Sequence, residues 1–135
     1  MYMSRGRWQY RGMKPFIGKG NVVYYTSWVI AFCDIEILNY YKWWYLKRNG
    51  IKLQTPRNGA HISIVRGEEE NIDKGWWERN LDSKEVISFN YGPDLKAGSG
   101  YVWLDIDSQD LEKIRTKLGL DPHPPFGYHL TIGRI

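Results

Sequence analysis

Two short strings in this chain carry a histidine followed two residues later by a hydroxyl. The first is Gly59-Ala60-His61-Ile62-Ser63-Ile64-Val65-Arg66, and the second is Gly127-Tyr128-His129-Leu130-Thr131-Ile132-Gly133-Arg134. They match in register at Gly, His, Ile and Arg, with Ile62 against Leu130 and Ser63 against Thr131, and the two histidines stand 68 positions apart. Histidine is the side chain whose ordinary pKa lies nearest neutrality. A pair on one surface can therefore divide proton transfer, one taking a proton while the other gives one. Hydroxyls beside them can donate hydrogen bonds to phosphate oxygens as charge develops there. Nothing in such a scheme requires a metal.

Strand geometry gives the strings their direction. Side chains of a strand alternate between faces, so His61 and Ser63 share one face while Ile62 and Ile64 enter the core. His129 and Thr131 share a face opposite Leu130 and Ile132. Gly133 is expected on the catalytic face, where a missing side chain admits a ligand. Arg66 and Arg134 fall on the opposite face unless a bulge intervenes. Two readings compete with catalysis: a metal held by His61, His123 and His129, and a pair of half-buried histidines in a duplicated sheet protein. No HExxH string or Cys/His cluster supports the metal.

The elements that must position these residues follow from the pattern of apolar residues. A basic loop is expected over Trp8–Gly20, a strand over Asn21–Tyr25, and a long helix from Thr26 or Ser27 to about Arg48, with Gly50 as its stop. Ile51–Leu53 reads as a short strand, Thr55–Gly59 as a turn and His61–Val65 as a strand. Glu68–Lys84 is an acidic excursion. Strands follow at Glu85–Tyr91 and Tyr101–Ile106 around a Gly/Pro turn region. Asp107 or Ser108 caps a helix to Leu118. Asp121–Gly127, with three prolines, is loop, and Tyr128–Ile132 is the last strand. This order predicts an α+β fold in one domain over residues 1–135, with helices packed on largely antiparallel sheet.

Composition narrows the class. A single cysteine, Cys33, excludes an intrachain disulfide and suits a reducing compartment. The basic, polar N-terminal stretch lacks the apolar core of a signal peptide, and no apolar run is long enough to span a membrane. The net charge of +4 is unevenly spread, with the first 66 residues strongly basic and residues 67–85 acidic. A basic half suits an anionic ligand. Lys14 and Lys19 are candidates to contact a second phosphate, and Tyr10, Trp76 and Trp77 to stack on a nucleobase. His123 reads as structural. Asp105 and Asp107 suit capping of the helix that follows better than catalysis.

The strings His61-Ile62-Ser63-Ile64 and His129-Leu130-Thr131-Ile132 resemble the paired signature of the 2H (two-histidine) phosphoesterase superfamily. That resemblance implies a compact bilobal, pseudo-twofold fold with the two motifs facing across a central cleft. It implies metal-independent cleavage of phosphodiesters without a cofactor, with His61 and His129 as the acid/base pair and Ser63 and Thr131 on the phosphate. Arg11-Gly12-Met13-Lys14-Pro15-Phe16, His61–Gly67, Tyr101-Val102-Trp103-Leu104 and His129–Arg134 are similar to strings of phage anti-CBASS nucleases, which destroy cyclic oligonucleotide immune signals. The expected ligand is thus a cyclic di- or trinucleotide in the cytoplasm of an infected cell, with no membrane and no stable duplex as partner. A homo-oligomer stays open. Opening of RNA 2′,3′-cyclic phosphates and non-catalytic sequestration of cyclic nucleotides are the alternatives.

Overall fold

A computed structural model describes residues 15–25, 28–68 and 84–135. The candidates Tyr10, Lys14, Trp76 and Trp77 lie outside them. The described residues form strands β1 (Phe16–Tyr24), β2 (Trp28–Cys33), β3 (His61–Arg66), β4 (Val86–Tyr91), β5 (Lys96–Gly98), β6 (Tyr101–Asp107) and β7 (Tyr128–Arg134), with helices α1 (Ile35–Asn49) and α2 (Gln109–Lys117). The sheet order is β4-β1-β2-β3-β7-β6-β5, and β4 also pairs with β6. Six antiparallel strands therefore close into a barrel, and β5 is an extra strand on the edge of β6. No described helix is long and apolar enough to cross a membrane.

This architecture corrects the expected compact bilobal α+β fold. The chain is mostly β, with two helices and one closed sheet among the described residues, instead of separate sheets flanking a cleft. The reason lies in the stretch read as the start of a long helix. Trp28–Cys33 is a strand, as its aromatic and β-branched residues favour, and it pairs with both β1 and β3. The helix starts only after Asp34, whose carboxylate accepts from the Glu36 N–H at 2.9 Å. Phe16–Gly20, expected as loop, extends β1 along β4. Ile51–Leu53 is not a strand, although Gln54 bridges to Arg134. Ser108 caps α2 as expected, accepting from the Leu111 N–H, and its hydroxyl donates to the Ser88 carbonyl of β4 at 2.7 Å.

One apolar cluster unites the ring. Val22, Ala31, Ile62, Leu130, Leu104 and Ile87, one from each of the six ring strands, are almost wholly buried together with Leu38 and Tyr41 of α1 and Leu111 and Ile114 of α2. Each such aliphatic side chain contributes roughly 1.5–3 kcal/mol by leaving water. The cluster fixes the register of every ring strand, because a slip by one residue would expose the whole apolar set.

Both motif strands break their alternation at the same motif position. In the pairing with β2, Val29 stands opposite Val65 and Ile30 opposite Ser63, so Ile64 is an extra residue. In the pairing with β6, Val102 stands opposite Gly133 and Trp103 opposite Thr131, so Ile132 is extra. Each is a β-bulge, and each turns the strand beyond it by one face. The first is held from α2. Arg115 is 1% exposed and donates to the Ile64 carbonyl at 2.9 Å, to the Asp121 carbonyl, and to both oxygens of Glu68 at 2.7 and 2.9 Å.

Arg115→Leu is expected to cost about 2 kcal/mol, because the Ile64 carbonyl loses its donor in a dry site. The check is a lower denaturant midpoint at unchanged slope. Hydrogen bonding to Arg115 holds the Glu68 carboxyl below its ordinary pKa of 4.5. Its stabilisation is therefore complete above that pH and is lost as pH falls through the lower, folded value. The stability gap between wild type and Glu68→Gln should shrink on the same descent.

Candidate functional site

The site is built on one register pair. Ile62 and Leu130 stand opposite each other where β3 meets β7, both fully buried. Antiparallel pairing then sets His61 beside Thr131 and Ser63 beside His129 on the other face. The two imidazoles lie diagonally about the Ile62–Leu130 pair, near enough for the charge of His61 to act on His129. The structure thus brings His61, Ser63, His129 and Thr131 together on adjacent strands of one sheet, and not across a cleft.

Each histidine is oriented by the glycine two residues before it. His61 Nδ1 lies 3.1 Å from the Gly59 carbonyl, which accepts its proton and leaves Nε2 as the nitrogen with a free lone pair. His129 likewise hydrogen-bonds the backbone of Gly127. Gly59 and Gly127 both have φ of 69°, a left-handed conformation that glycine adopts without strain. Their N–H groups close identical turns onto Pro56 and Pro124, each at 3.0 Å. The repeat therefore begins three residues earlier than the glycines. Pro56 and Pro124, in register in the sequence, were the available signal for it.

The bulges decide the fate of the flanking residues. Arg66 and Arg134 are exposed, and Val65 and Gly133 are buried before them. The turn of one face returns both arginines to the side of the imidazoles, which reverses their expected exclusion. It also removes Gly133 from that side. A Cβ there would lie 2.7 Å from Leu53 Cβ and 2.9 Å from the Gln54 carbonyl oxygen, so this glycine admits the neighbouring chain and not a ligand. Arg134 donates to Gln54 Oε1 at 2.7 Å.

Trp28 organises the first motif, and sequence reading missed it by placing it in a helix. Its indole N–H donates to Ser63 Oγ at 3.3 Å, which leaves the Ser63 proton to point elsewhere. Its ring meets His61 edge to face at 5.8 Å, and the Arg66 guanidinium stands 5.6 Å over it. In the second motif Asp105 faces His129 and Trp103 faces Thr131 across the β6–β7 pair. Asp105 accepts from Trp103 Nε1 at 3.1 Å and pairs with Lys96 of β5. It caps nothing, since Ser108 caps α2. Finding it needed the register of β6 on β7, which no local pattern reveals.

The remaining candidates separate. Lys19 is exposed on β1, two strands from His61 on the same face, since Asn21 pairs with Phe32 and Phe32 with His61. His123 sits in the proline loop, where its N–H donates to Asp121. Burial pushes the Cys33 thiol up to about 12, which removes it as a nucleophile at neutral pH. Among the described residues no group of three His, Cys, Asp or Glu is arranged to hold a metal. No family model, curated protein or solved structure matches the chain.

Desolvation is the largest influence on His129 and lowers its pKa from the ordinary 6.5; the charge of His61 adds to this, while Gly127 and Asp105 oppose it. The balance favours the neutral imidazole of His129. Nitrogen NMR should find the neutral His61 ring protonated on Nδ1 and the His129 midpoint below 6.5. Because the folded state prefers neutral His129, its share of stability should decline as pH falls below 6.5, a decline that His129→Asn removes.

Proposed function

We propose that this protein is a two-histidine phosphodiesterase that cleaves 3′,5′ bonds of cyclic oligonucleotide signals. The observation that carries the reading is the set of two imidazoles and two hydroxyls on one face, ordered by a single register pair. One imidazole takes the proton of a ribose 2′-hydroxyl, whose oxygen attacks the adjacent phosphorus. The O2′–P bond forms as the P–O5′ bond breaks, and the other imidazole gives its proton to O5′. The products are a 2′,3′-cyclic phosphate and a 5′-hydroxyl. Ser63 and Thr131 donate to the non-bridging oxygens, and Arg66 and Arg134 add positive charge at either end of the row. The superfamily resemblance supports this through the motif residues and not through the fold. The reading places the activity in the cytoplasm, where such signals act.

His61→Ala and His129→Ala should each lose about 10²–10⁴ in rate, read by product analysis on mixed cyclic nucleotides in the presence of chelator. A substrate lacking the 2′-hydroxyl should remain intact. Equal cleavage of the deoxy analogue would sink the 2′-attack route. Cleavage only of RNA ending in a 2′,3′-cyclic phosphate would redirect the reading to RNA end opening. Undiminished removal of ligand by both variants, with ligand recovered whole, would make the protein a sponge.

A further inference from the structure

The two motifs are alike along their own strands and unlike across them. Opposite His61 stands Phe32 of β2, and opposite Ser63 stands Ile30. Opposite His129 stands Asp105 of β6, and opposite Thr131 stands Trp103. One imidazole thus faces a phenyl ring and the other a carboxylate. That carboxylate is fixed on both sides, by the Trp103 indole N–H at 3.1 Å and by Lys96.

We propose that Asp105 is the positioning residue that makes His129 the general base and leaves His61 as the general acid. The assignment rests on the phosphodiesterase reading above. Directly opposed side chains of an antiparallel pair have Cβ atoms about 4.5–5.5 Å apart. A charge that appears on His129 therefore appears beside a fixed negative group. Desolvation keeps the resting imidazole neutral and able to accept a proton. Once protonated, it is stabilised by Asp105 at the moment the substrate oxygen attacks. Among the described residues, the charged and titratable groups on this face are Asp105 and Tyr101 from β6, Lys96 from β5, His61 and Arg66 from β3, Arg134 further along β7 itself, and Lys19 two strands from His61 on β1. Asp105 is the anion among them. Among the described residues His61 has no such counter-charge, and its ring stands edge to face with Trp28. In the step, His129 receives the 2′-hydroxyl proton, the P–O5′ electron pair goes to O5′, and O5′ receives the His61 proton. Exchange with solvent resets both rings.

The test is a substrate with sulfur in place of the bridging O5′, a leaving group that needs no proton. His61→Ala should recover at least 100-fold on it relative to the oxygen substrate, while His129→Ala stays inactive. Asp105→Asn should lower kcat about tenfold with KM unchanged, move the acid limb of the kcat–pH profile to lower pH, and lower the His129 midpoint in an NMR titration. Asp105→Glu should restore part of each. Recovery of His129→Ala in place of His61→Ala, or an unmoved His129 midpoint in Asp105→Asn, overturns the assignment alone. A wild-type protein inert on both substrates overturns the phosphodiesterase reading and the assignment with it.

Discussion

One extra residue in each motif strand shapes the surface that the rest of the fold supports. A regular strand from His61 would send Ser63 to the imidazole side and Arg66 to the core side. A charged guanidinium in that core would cost several kcal/mol. The bulge at Ile64 lets Ile64 and Val65 both be buried and returns Arg66 to the polar side. The bulge at Ile132 does the same for Ile132, Gly133 and Arg134. Each bulge leaves backbone groups out of the ladder, and these need partners. Arg115 supplies one for Ile64. Past the second bulge, Gln54 and Arg134 exchange backbone bonds at 2.8 and 2.9 Å. That approach is close enough to require glycine at 133.

The seam between β3 and β7 transmits this to the site. The two strands share one register pair, whereas β3 with β2 and β7 with β6 share several. The relative placement of the imidazoles therefore depends on Ile62 and Leu130 staying opposed in the core. Closure of the ring through β4 and β6 limits how far the seam can open. The glycine turns complete the placement. Each ring is tied to its own strand two residues back, so its orientation does not depend on the partner strand. The core sets where the rings are, and the turns set how they point.

The motif strands were legible because alternation, β-branching and the repeat agreed over His61–Val65 and Tyr128–Ile132. The second helix was legible because Ser108, the Leu111-Ile114-Leu118 stripe and Gly119 agreed. Trp28–Cys33 misled because it runs into α1 with no proline or glycine between them. Only Asp34 marks the change, and a lone aspartate is a weak boundary. Ring closure was illegible for a different reason. It depends on pairings such as Asn90 with Asp107, between residues whose local pattern says nothing about each other. The bulges left a faint trace, two consecutive buried positions at the end of an alternating run. Ile64-Val65 carries that trace openly, but Gly133 hides it because glycine has no hydrophobic signature.

A repeated motif supplies two groups of the same kind, and acid–base catalysis needs two groups of different kinds. Along β3 and β7 the side chains are nearly interchangeable, down to the glycine carbonyl that each imidazole uses. Difference enters only from the strands outside them. Beside β3 come Phe32, Ile30 and Trp28, an apolar and aromatic border. Beside β7 come Asp105, Trp103 and Tyr101, a border with a fixed charge. The indoles are spent differently too, Trp28 on a hydroxyl of its motif and Trp103 on the carboxylate. The sheet order makes this division possible, since each motif strand borders the other on one side and a strand of its own, β2 or β6, on the other. The shared β3–β7 edge brings the two imidazoles together, and the outer neighbour sets what each imidazole is for.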